Sequence, residues 1–173
     1  MTLSLYSAVV PNYVQILGAV RGLLDKAEAH CAETGCDPGD LHEARLADDM
    51  LPFGYQVKSC SVHSIGAVEG VRAGVFSPDM NPWPKSFEGL REAIGHALAA
   101  VEALDPDEIN GFVGRDMRFA MGEMTMPFTA EDFLLSFSQP NFYFHATTAY
   151  DILRWKGVKL GKRDFMGRPR LKV

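Results

Sequence analysis

The chain has 173 residues, 47% apolar and 23% charged, which excludes disordered and disulfide-stapled classes and predicts one domain over residues 1–173 with its own core. Its net charge is −5, yet residues 151–173 carry eight Lys/Arg against Asp151 and Asp164, leaving −11 on the first 150. No apolar run reaches the roughly 18 residues that span a bilayer, and no basic surface is interleaved with aromatics as nucleic acid would require, so neither partner is expected.

The first helix is predicted over residues 3–31, with Tyr6, Val9, Val10, Tyr13, Leu17, Val20, Leu24 and Ala27 on one side and a kink at Pro11. The run GCDPGD ends it. A second helix starts near Leu51 and Pro52 and continues to about Arg72. Residues 75–85, with three prolines, read as a loop. Ser86 then caps a third helix whose face is Phe87, Leu90, Ile94, Ala97, Leu98, Val101 and Leu104. Between Asp105 and Phe128 the helical period gives way to near-alternation, Phe112, Val113, Met117, Phe119, Met121, Met124 and Met126 among glycines, which predicts a small β-hairpin. Its methionines either pack on the hairpin or form a lid. Thr129 with Asp132 opens a fourth helix and Gly157 closes it. The tail reads as a loop lying on the acidic body of its own or a sister subunit. The class is therefore all-α, a four-helix bundle with a small hairpin or irregular insertion between helices three and four. Pro11-Asn12-Tyr13 and Pro140-Asn141-Phe142 place one Pro-Asn-aromatic unit in two helices, predicting two related kinks.

Cys31, Cys36 and Cys60 are an odd number without paired metal-ligand spacing. They predict reduced thiols and, with an N-terminus lacking a basic leader, a cytoplasmic protein.

The polar stripe of the fourth helix raises the functional question. Ser138, Asn141, His145 and Thr148 recur at three- and four-residue steps among apolar neighbours, so they face the core. There they either lock the packing or line a site. His63 stands in a similar setting, among Ser59, Cys60, Gly66, Ala67 and Gly70. An imidazole buried without a partner costs ~1–3 kcal/mol. Asn12, Gln56, Asn141, Tyr143, Tyr150, a water or a metal are the candidate partners. His30, His42 and His96 fall at a helix end, in a polar connection and on a solvent face. Cys60 puts a thiol on the same helix face as His63, which can activate it, although a buried cysteine commonly packs as a small hydrophobe. There is no phosphate loop and no nucleophile elbow.

ADDMLPFGYQVKSCSVH in the second helix, followed downstream by QPNFYFHATTAYDILRWKGVKLGKRDF, resembles an uncharacterised bacterial and fungal family within the DinB/YfiT-like superfamily. The likeness covers nearly the whole chain. It implies a DinB/YfiT-like four-helix bundle of up-down-down-up type, commonly a homodimer. It also implies a divalent metal (Zn, Ni or Fe) held by one histidine of the second helix and an H-x-x-x-H pair of the fourth. Characterised relatives include transferases and isomerases that use low-molecular-weight thiols. By position, His63 and His145 match two of the metal ligands, and the third place is Ala149. The expected function is a small-molecule cavity serving thiol or water addition to a small electrophile. His63, His145 and Tyr150 are then the catalytic candidates, and Asn141 and Tyr143 hold a ligand or cofactor. The rival is a non-catalytic dimeric stress-response or binding module with structural core histidines.

Overall fold

The computed structural model describes residues 3–172. Helix α1 (Leu5–Thr34) opens with a reciprocal cap between Ser4 and Ser7 and buries Val9, Tyr13, Leu17, Val20, Leu24 and Ala27 along one side. Pro11 sits inside it without ending it. Pro11 has no N–H and crowds the turn before it. There the Ala8 carbonyl takes the Asn12 side-chain amide at 2.8 Å and, from far along the chain, the Gln139 amide at 3.2 Å.

The second predicted helix is two helices, α3 (Phe53–Val62) and α4 (Ile65–Ala73), preceded by the short α2 (Pro38–His42). The break falls at His63 and Ser64, where Ser64 leaves helical geometry at φ −111°, ψ −93°. Its hydroxyl turns back to donate to the Cys60 carbonyl at 2.7 Å. Side-chain bonding of this kind competes with the helical ladder, a local effect that apolar periodicity does not reveal. Strand β1 (Val75–Phe76) arises in the segment expected to be a loop. Helix α5 (Phe87–Glu102) has the predicted Ser86 cap, with Oγ accepting from the Gly89 N–H.

A short α6 (Pro106–Asn110) leads to the predicted hairpin, β2 (Asp116–Met121) and β3 (Met124–Thr129). The strands pair antiparallel from Asp116↔Thr129 to Met121↔Met124, and β1 adds to β2 in parallel. Gly122, at φ +58°, takes the first corner of the two-residue turn, where a side chain would be strained. After the Thr129 cap come one turn, α7 (Ala130–Asp132), a π-helical segment (Phe133–Ser138) and α8 (Gln139–Trp155). The basic tail forms a further turn, α9 (Lys162–Met166), packed on α1. Arg170 reaches the Pro11 carbonyl, Gln15 and the Asn12 amide oxygen, and Lys26 pairs with Asp164.

The molecule is thus mostly helical with a three-stranded sheet, and the simple count of four helices is corrected by the break at His63 and the short helices between the long ones. Helix α1 packs on α5 and α8, and α3 packs on α8 and α5, around one continuous core. Tyr13 and Phe142, the aromatics of the two Pro-Asn units, meet edge to face there with centroids 4.9 Å apart. No helix among the described residues is long and apolar enough to cross a membrane.

Candidate functional site

Two local features bring His63 and His145 together. The break after α3 frees the His63 carbonyl from the helical ladder, and the Ser138 hydroxyl donates to it at 2.9 Å. The π-helical segment holding Ser138 then re-phases the entry to α8, so that Phe137, Asn141 and His145 fall on one face. Such π segments often accompany functional sites. The two imidazoles stand with centroids 5.5 Å apart and planes inclined by 20°. They share a cavity of about 310 Å³ walled by Tyr55, Lys58, Phe76, Asp79, Phe119, Met121, Phe137 and Asn141.

Hydrogen bonding fixes one tautomer. The Gln56 amide nitrogen donates to the Leu51 carbonyl at 2.7 Å, which turns Oε1 toward His145 Nδ1, also at 2.7 Å. His145 therefore carries its proton on Nδ1, and Nε2 is its acceptor. His63 differs, because its Nδ1 is buried and has no partner. Burial holds both imidazoles well below the ordinary histidine value, each to about 4, and His145 adds to the shift of His63. Both are neutral at physiological pH.

Lys58 forms the opposite wall. Only 8% exposed, it donates to the Asp79 carboxylate at 3.0 Å, the Asp79 carbonyl at 3.1 Å and the Asn81 carbonyl. Burial raises the Asp79 carboxyl, but the Asn81 N–H and Lys58 outweigh it and hold the group ionised below its usual range. The loop of residues 77–85 is thereby pinned beside the cavity, which its Pro78, Asp79 and Met80 help to line. Trp83 pins it a second time, lying so close to Gly54 that an added Cβ there would meet the indole at 2.4 Å.

A family model described as a domain of unknown function, DUF1993, matches residues 5–166. The chain belongs to this family. Its structure is also similar to the crystal structure of a DinB family member protein from Shewanella denitrificans, with a TM-score of 0.81 and 26% identity over 98% of this chain and 95% of that one. No curated protein matches. The resemblance seen in the two sequence blocks is thus to an actual family, DUF1993, with a DinB-like structure.

Not every residue singled out in the DUF1993 chain reaches the cavity. Asn141 does, but its amide donates to the Phe137 carbonyl at 2.7 Å, and Gln56 is the group that orients an imidazole. Tyr143 lies against Phe142 and Tyr150 against Phe165, both away from the cavity. At about 100° per residue, they sit roughly 160° and 140° around α8 from His145. Cys60 is fully buried, its thiol on the Gln56 carbonyl at 3.4 Å and pushed far up by burial, which leaves no activated nucleophile. His42 is no loop residue. It is 2% exposed between Phe53 and Phe87, with neither ring nitrogen partnered. Lys58, Asp79 and Tyr55 escaped sequence reasoning. The available signal for Lys58 was a lone lysine on a helix otherwise rich in small and apolar residues.

The donor set does not suit a resident divalent ion. Among the described residues no three His, Cys, Asp or Glu side chains group to hold one. The third ligand place, Ala149, is buried and has no donor. With no donor at Ala149, two imidazoles beside a buried lysine fall short of the three protein ligands a zinc site ordinarily has.

Proposed function

We propose that this chain is a DinB-like four-helix bundle, built on α1, α3 with α4, α5 and α8, that binds a small molecule between His63 and His145 without a resident metal. The supporting observation is the acceptor Nε2 of His145, fixed by Gln56, beside a second imidazole in a shared cavity of about 310 Å³. A ligand bearing an N–H, O–H or S–H group would donate to that nitrogen, and walls of Phe76, Phe119 and Phe137 suit a compact, partly apolar one. A low-molecular-weight thiol meets both demands.

The reaction class that follows is addition of a thiol, or of water, to a small electrophile, with His63 or His145 taking the proton. An imidazole of pKa about 4 cannot simply deprotonate a thiol of ordinary pKa, about 8.5, since that transfer is uphill by roughly 6 kcal/mol. The proton must therefore move as the new bond to sulfur or oxygen forms. Gln56 is the positioning residue, keeping Nε2 of His145 as the acceptor. Tyr143 and Tyr150 have no part in it.

The protein is further proposed to work in the cytoplasm as a homodimer. The exposed Phe144 and Trp155 on α8 support an apolar contact surface. One observation favours the rival reading, a binding or stress-response module with structural histidines: His145 already has its partner in Gln56.

Conjugation of cysteine or glutathione to small electrophiles, followed for the wild type, His63→Ala and His145→Ala, decides between the readings. The enzyme reading expects acceleration lost by at least tenfold in both variants. Thiol-induced shifts of the two histidine resonances without turnover would leave a binding module. Metal analysis of untagged protein should find no stoichiometric ion, and an ion lost in either variant would overturn the metal-free reading.

A further inference from the structure

Helix α1 ends in a left-handed cap. Gly35 takes φ +72° and its N–H bonds the Cys31 carbonyl at 2.8 Å. Such a cap folds the second residue beyond the helix back onto the last turn, where an apolar pair commonly meets. Here both members of that pair are cysteines. The sulfurs of Cys31 and Cys36 lie 2.7 Å apart, not far beyond a disulfide bond length of about 2.0 Å. Cys36 is also fixed from its other side. Asp37 caps α2 by accepting from the Gly39 N–H at 2.8 Å, and Pro38 begins that helix. The two thiols are thus held together by backbone on both flanks, and a bond between them requires little rearrangement.

We propose that Cys31 and Cys36 form a reversible intramolecular disulfide, a peroxide-responsive modification site at the end of α1. The two side chains divide the chemistry by exposure. Cys31 is 6% exposed while Cys36 is only partly covered, so Cys36 meets the oxidant. Its sulfur attacks hydrogen peroxide, an S–O bond forms as the O–O bond breaks, and the products are a sulfenic acid and one water. The Cys31 sulfur then attacks that of Cys36. The S–S bond forms, the S–O bond breaks, and the departing hydroxide takes the Cys31 proton as a second water. The two thiols lose two electrons and two protons, which peroxide accepts, and a low-molecular-weight thiol reverses the change. Burial, together with the Cys36 contact and the nearby Asp37 and Asp40, pushes the Cys31 thiol up to about 12. It therefore stays protonated until a sulfenic partner appears beside it. Cys60, fully buried at a distance in sequence and bonded to Gln56, is an internal reference.

The test treats the full chain with a modest excess of hydrogen peroxide and reads intact mass and alkylatable thiols in denaturant. The expected result is a mass lower by about 2 Da and a fall from three thiols to one. Peptide mapping should join Cys31 to Cys36, and dithiothreitol should restore all three thiols. Cys60→Ser should still lose the 2 Da, whereas Cys36→Ser should not. Persistence of all three thiols, oxygen added at Cys31 or Cys36 in the peptide map of the wild type, or a cross-link between two chains on a non-reducing gel would each overturn the proposal. Cys36→Ser controls for oxygen taken up by exposed methionines such as Met80.

Discussion

Tyr13 and the two cavity histidines are polar side chains whose stability effects have opposite characters. Tyr13 is fully buried against Phe142, and its hydroxyl makes no well-formed hydrogen bond although the Ser138 side chain lies beside it. Burial outweighs that contact and pushes the Tyr13 phenol far up. Removing an unsatisfied buried hydroxyl relieves a desolvation cost. Tyr13→Phe should therefore leave stability unchanged or raise it by about 1 kcal/mol in urea unfolding, whereas Phe142→Ala should lose about 3–5 kcal/mol. For the histidines, the folded values near 4 lie below the unfolded value of about 6.5. As pH falls below 6.5 the unfolded chain binds protons first, so stability is complete above pH 6.5 and is lost as pH drops through about 4. Allowing for partial solvent access, each histidine accounts for about 2 kcal/mol of that loss. Urea midpoints at pH 7.5 and 4.5 should differ in the wild type and differ less in His63→Ala. An equal difference in both would contradict the assigned values.

At the scale of elements, long-range pins set the site. The 77–85 loop is held by Lys58 to Asp79 and by Trp83 on Gly54. Lys58→Met would leave Asp79 and two carbonyls without their donor, at a cost of about 2–3 kcal/mol. It should also make the loop the first site of limited proteolysis. Gly54→Val forces the indole off α3, and a red-shifted Trp83 fluorescence would report it. Trp155, already 62% exposed, contributes an unchanging background. Ser138→Ala removes the bridge from the π segment to the His63 carbonyl and should cost about 1 kcal/mol. It should also move the His63 resonance, which a mere packing loss elsewhere would leave in place.

The whole molecule shows which parts of this architecture are local in sequence. The faces of α1 and α5, the Ser86 and Thr129 caps, the hairpin and the Gly157 stop all rest on neighbours within a few residues, and all are legible. The break at His63 depends on Ser64 preferring the Cys60 carbonyl, a competition that apolar spacing does not record. His42 looked like a polar connector because Phe53 and Phe87, which bury it, lie 11 and 45 residues away. Tyr143 and Tyr150 are a different kind of miss. Their angular distance from His145 was already present in the numbering, and helix geometry alone places them elsewhere. The convergence of His63 and His145 was legible only as small residues around two imidazoles, and Lys58 with its loop was not legible at all. The tail was expected to lie on an acidic body. It folds onto α1 through Arg170 and Asp164.

Histidine NMR titration tests the shared cavity most directly. With His30, His42 and His96 assigned by substitution, His63 and His145 should remain neutral down to a midpoint of about 4, and His145→Ala should raise the midpoint of His63 because its neighbour's charge is gone. Two independent transitions near 6.5, each indifferent to loss of the other ring, would mean that the imidazoles do not share a buried cavity.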